Sequence, residues 1–76
     1  MKEIVERITR DLVDYPEQVE VVEEEDEENL ILNLKVAQQD LGKIIGRQGR
    51  LIQAIRTIVY AAAKNKGKNI NLRLQE

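Results

Sequence analysis

The sequence contains no cysteine and no histidine. Disulfide frameworks, thiolate metal sites, cysteine nucleophiles, Ser–His and Cys–His pairs and imidazole acid–base chemistry are therefore excluded together. Tryptophan and phenylalanine are also absent, and Tyr15 and Tyr60 are the only aromatic residues. That argues against a nucleic-acid platform in which paired strand aromatics stack bases. No apolar run approaches the ~18 residues of a membrane span. The opening MKEIVERITRDLVD interleaves acids with apolar residues, which is unlike a secretory leader.

What is present fits one small domain. The 76 residues are 42% apolar and 34% charged, an ordinary soluble composition. A domain of this size buries only ~60% of its unfolded surface. It has room for a modest core and little for a deep catalytic cavity. Among residues 35–76 the only acids are Asp40 and Glu76, so no carboxylate pair is available there for acid–base work. The expectation is a cytoplasmic, non-enzymatic binding module with no cofactor.

The net charge of −2 conceals a division. Residues 1–34 carry 12 acids and 3 bases, whereas residues 35–76 carry 2 acids and 9 bases. Six acids run consecutively from Glu23 to Glu28. Such a run reads first as a solvated loop, and it would repel a polyanion from that end of the molecule. It lacks the spaced oxygen ligands and turn glycine of an EF-hand.

Periodicity gives the order of elements. Ile4, Val5, Ile8, Leu12 and Val13 fall at helical spacing, predicting an amphipathic helix over residues 3–13 that Tyr15-Pro16 ends. Val19, Val21 and Val22 suggest a short strand, the acidic run with Asn29 a polar turn, and Leu30, Leu32, Leu34 and Val36 a half-buried strand. Asp40 is placed to N-cap a short helix that Gly46 would stop. A further helix is predicted from about Arg50 to Lys64, closed by Asn65-Lys66-Gly67, and Ile70, Leu72 and Leu74 alternate as a third strand. The order α-β-β-α-α-β implies an α+β layer, a three-stranded sheet with helices packed on one face.

The most informative segment is Ile44-Ile45-Gly46-Arg47-Gln48-Gly49-Arg50-Leu51-Ile52. It is neither a P-loop nor a dinucleotide fingerprint. Gly46 and Gly49 remove side chains at both ends of a two-residue loop, so another backbone can come close. Arg47 offers forked cationic donors to phosphate, Gln48 neutral donors and an acceptor, and Lys43 and Arg50 flank them. Gly49 opens a helix whose first N–H groups are expected to be unpaired and whose dipole favours an anion.

With these residues in place the chain resembles a KH domain. The apolar pair, Gly-x-x-Gly and following apolar helix match that family's core pattern, and the element order is similar to its type II, bacterial form. The likeness extends over residues 1–76 as a single KH domain, and Asp40 to Arg50 is similar to the small stand-alone bacterial KH proteins of the KhpA type. The resemblance implies single-stranded RNA as partner, an RNA-chaperone or post-transcriptional role, and a loop that clamps about four nucleotides by their backbone. It implies an RNA-binding set of Lys43, Ile44, Ile45, Gly46, Arg47, Gln48, Gly49 and Arg50, with Ile44 and Ile45 at groove-side positions. The different reading is a protein-interaction adaptor or dimerisation module on a KH scaffold whose RNA binding is weak or residual.

The last helix carries more apolar surface than one sheet requires. At about 100° per residue its apolar residues fill an arc of about 200°, against roughly 100° for a helix packed on one layer. Either the N-terminal helix covers the surplus, or it is an association surface. One edge of that surface would be Ala54 and Ala61, the other Ile52, Val59 and Ala63. The family resemblance favours association, as a homodimer or with a larger KH-containing RNA-binding protein.

Overall fold

The computed structural model describes residues 1–64 and 67–75. Its elements are α1 (Lys2–Leu12), β1 (Glu20–Glu25), β2 (Asn29–Lys35), α2 (Leu41–Ile45), α3 (Arg50–Ala62) and β3 (Asn69–Leu74). Short 3-10 turns occupy Pro16–Gln18, Gln38–Asp40 and Arg47–Gly49. The expected α+β order is therefore present. The sheet order is β1-β2-β3, with β1 antiparallel and β3 parallel to β2. That arrangement is consistent with the type II KH fold.

The alternation in β2 does what its period requires. Leu30, Leu32 and Leu34 are fully buried under the helices, while Ile31 and Asn33 face the other side half-buried. Val5, Ile44, Ile55, Val59 and Leu72 complete the interior from α1, α2, α3 and β3. Each such side chain contributes on the order of 1.5–3 kcal/mol by leaving water. Helix α1 packs against both β1 and α3.

Several boundaries differ from expectation for physical reasons. Glu23, Glu24 and Glu25 belong to β1 rather than to a turn, and only Asp26–Glu28 form the connection. Cross-strand pairing with Leu32, Ile31 and Leu30 outweighs their poor strand propensity. Lys68 pairs with Glu25 and offsets one of those charges. The Asp26 carboxylate accepts the amides of Glu28 and Asn29 at 2.8 and 2.7 Å, which fixes the turn. Those amides, Asn29 first, hold the Asp26 carboxyl below its usual value.

Ile4 and Leu12 of α1 are exposed, whereas Thr9 is buried with no hydrogen-bond partner for its hydroxyl among the described residues. Helix α3 stops at Ala62, with Ala63 as its cap. Of the expected closing residues, Asn65 and Lys66 lie outside the described set, and Gly67 has a positive φ of 68°.

Asp40 occupies the N-cap position of α2, but its side chain makes no capping bond there. It is fully buried, and its carboxylate accepts the Asp14 amide at 3.1 Å and the Tyr15 amide at 3.0 Å. The chain leaving α1 is extended at Val13 and has no helical partners for those two donors. Asp40 satisfies them and ties that exit to the start of α2.

A candidate nucleic-acid interface at the Gly-x-x-Gly loop

The loop between α2 and α3 is a tight 3-10 turn with three residues at positive φ. Gly46 lies at φ 73°, Gln48 at 58° and Gly49 at 75°. The two glycines are required for different reasons. A Cβ on Gly46 would stand 2.7 Å from Leu51 Cβ and 3.0 Å from Leu51 N, so packing as well as dihedral excludes a side chain. A Cβ on Gly49 would meet nothing within 4 Å, so only its left-handed backbone matters. Gln48 holds the left-handed region without being glycine, at a cost of about 1–2 kcal/mol. The turn is closed by the Gly49 amide donating to the Gly46 carbonyl at 3.3 Å and by the Arg50 amide donating to Arg47. Those two amides are spent on the turn, a correction to the expectation that the opening amides of α3 stand free.

The side chains of Arg47 and Gln48 are exposed, as is Arg50. Among the described residues neither arginine has an acidic partner within 4.0 Å. Lys43 differs. It pairs with Asp14, whose hydrogen bond raises the Lys43 pKa, so part of its charge is answered internally. The loop therefore presents two unpaired guanidinium groups, one paired ammonium and one carboxamide on a pinched backbone. That set has the chemistry to bind anionic oxygens, and it contains no group suited to proton abstraction.

Ile44 requires a correction. It is fully buried in the core, so it anchors α2 and cannot line an open groove. Neighbouring helical residues diverge by about 100°, and it is Ile45 that remains half-buried at the surface.

The expected association edges of α3 also divide. Ile52 is 6% exposed, Val59 0% and Ala63 1%, so this edge is core, closed by packing beneath the sheet and α1. Ala54 and Ala61 are exposed, and Ile58 between them is 50% exposed. The same angular stepping would have singled out Ile58, since it falls about 40° from Ala54 on the same helix face.

Strand β3, beside α3, is a sheet edge. A separate open cleft of about 380 Å³ lies where β2 and β3 end, lined by Gln18, Lys35, Val36, Ala37, Gln38, Leu41 and Gln75. Among the described residues no helix is long and apolar enough to cross a membrane.

A pinched Gly-x-x-Gly turn between two helices, laid over a mixed three-stranded sheet, defines a KH domain. The chain belongs to the KhpA/KhpB KH-domain family, whose model matches residues 2–74. It is 54% identical over 70 residues to the RNA-binding protein KhpA of Clostridium perfringens, covering 92% of this chain and 93% of that one. It is 50% identical over 70 residues to the KhpA of Caldanaerobacter subterraneus, at 92% and 93% coverage. The KhpA of Listeria monocytogenes is 42% identical over 76 residues, the whole of both chains. No solved structure matches.

Proposed function

We propose that this chain is a single KH domain over residues 1–76 that binds single-stranded RNA in the cytoplasm without catalysing a reaction, as an RNA chaperone or post-transcriptional regulator. The supporting observation is the loop itself, with Arg47 and Gln48 exposed on a turn whose glycines allow a backbone to approach. Arg47 and Gln48 engage successive phosphates, Arg50 and Lys43 supply field, and Ile45 meets a base. The naming of its relatives as RNA-binding proteins agrees with this reading.

The test is an equilibrium titration of a labelled, unstructured RNA with wild type and with the double variant Arg47→Asp/Gln48→Asp. Both positions are exposed, and aspartate tolerates the left-handed backbone of position 48 better than most residues, so the fold should survive. Affinity should fall at least tenfold. An unchanged affinity would leave the adaptor reading in its place.

A second element concerns assembly. The open strip Ala54, Ile58 and Ala61 on α3 fits a helix from a second copy, or from a larger KH-containing partner, because small residues let backbones approach. It replaces the edge formed by Ile52, Val59 and Ala63, which the core consumes. Sedimentation at high micromolar concentration should show a dimer that Ile58→Asp dissociates. A wild-type chain that stays monomeric there contradicts it.

A further inference from the structure

The side chain of Arg56 ties α3 to the sheet. Its Nε donates to the Leu72 carbonyl at 3.1 Å, and the side chain is half-buried. Which side of β3 that carbonyl lies on follows from the ladder. The Asn69 amide donates to Glu28 and the Gln75 amide to Leu34, both toward β2. Backbone groups alternate along a strand, so Asn69, Asn71, Arg73 and Gln75 face β2. Ile70, Leu72 and Leu74 therefore direct their amides and carbonyls off the free edge of the sheet. Arg56 sits on that edge, fixed at its neck, with both terminal guanidinium nitrogens beyond the contact.

Its place on α3 is equally defined. Gly49, Gln53, Arg56 and Tyr60 fall within an arc of about 60°. Gln53 and Tyr60 on this row are exposed, and the row lies about 140° around the helix from the Ala54–Ile58–Ala61 strip. It starts at the loop and meets the edge of β3 at Arg56. Arg56 stands seven residues past Gly49, about 10 Å along the helix.

We infer that Arg56 is a specificity-determining residue of the RNA site, and that it selects guanine over adenine in a strand held by the Gly-x-x-Gly loop. The inference rests on the RNA-binding reading above. Two parallel N–H donors on a fixed plane match the O6 and N7 acceptors of guanine. Adenine presents its N6 amino group where O6 would be, setting donor against donor. The carbonyls of Ile70 and Leu74 on the same edge offer acceptors for the remaining N–H groups of guanine. Tyr60 supplies a ring on the same row for a stacked base.

The experiment compares two single-stranded oligouridylates that differ only in a central guanosine or adenosine. Wild type should bind the guanosine oligomer about fivefold to a hundredfold more tightly. Arg56→Lys keeps the charge and removes the fork, so that ratio should fall to near unity while affinity for the adenosine oligomer changes less than twofold. Wild type binding both oligomers equally, or Arg56→Lys retaining the ratio, overturns the inference and leaves loop-based RNA binding standing. Wild type binding neither overturns both. If Arg56→Lys unfolds, the wild-type Arg56 Nε–H resonance decides. A shift with the guanosine oligomer alone supports the assignment, and equal shifts or none overturn it.

Discussion

Replacing Asp40 by alanine should destabilise the domain more than any other single acid-to-alanine change outside the loop. The carboxylate is fully buried and accepts two amides, from Asp14 and Tyr15, at 3.1 and 3.0 Å. Alanine leaves both donors without an acceptor in a part-buried position, at about 1–3 kcal/mol each when unsatisfied. Water reaching the Asp14 side recovers some of that, which puts the expected loss at about 2–4 kcal/mol. A chain of this length has a total stability of roughly 4–11 kcal/mol. The melting temperature should fall by at least about 8 °C. Asp40→Asn retains one acceptor oxygen and turns an amide donor toward the other backbone N–H, so about half the loss should remain. Urea unfolding followed by far-ultraviolet circular dichroism measures both. A loss for Asp40→Ala below about 0.5 kcal/mol would refute the reasoning. The Lys43–Asp14 pair lies across the same junction, but both groups are exposed, and its removal should cost little by comparison.

Other substitutions test other parts of the structure. Thr9→Val removes a buried hydroxyl with no partner among the described residues and should stabilise by about 1 kcal/mol in the same assay. Gly46→Ala should cost clearly more than Gly49→Ala, because both are at positive φ but only the former drives a Cβ to 2.7 Å from Leu51 Cβ. Equal losses would mean that the dihedral alone matters. Asp26 has a folded-state pKa below its usual 3.8, so its contribution is present above that value and is lost as pH falls through the lower one. Urea midpoints between about pH 5 and pH 2 should accordingly fall less steeply for Asp26→Ala than for wild type.

The architecture was legible because its signals are local and agree with one another. Alternation in Leu30–Leu34, helical spacing in α3 and the glycines at 46 and 49 each depend on near neighbours. The reading failed where the deciding partner is distant in sequence. Asp40 looks like a cap because its own surroundings suit one, yet its ligands are the amides of residues 14 and 15. Glu23–Glu25 look like a loop, yet β2 supplies the pairing that makes them a strand. In the candidate site the bend between Gly46 and Gly49 is legible from its two glycines, which the structure holds at positive φ. The burial of Ile44, the loss of Ile52, Val59 and Ala63 to the core, and the seat of Arg56 on Leu72 are products of tertiary packing. A helical projection gives the angles of α3, but only the fold shows which angles α1, the sheet and solvent occupy.

The most direct test of phosphate clamping by residues 46–49 is the salt dependence of RNA binding. Neutralising two or three phosphates gives a slope of log K against log salt of about −1.4 to −2.1 on a single strand. Arg47→Asp/Gln48→Asp should flatten that slope by about 0.7 or more, with the unfolding midpoint in urea nearly unchanged. Identical slopes for the two proteins would show that the loop does not hold the strand.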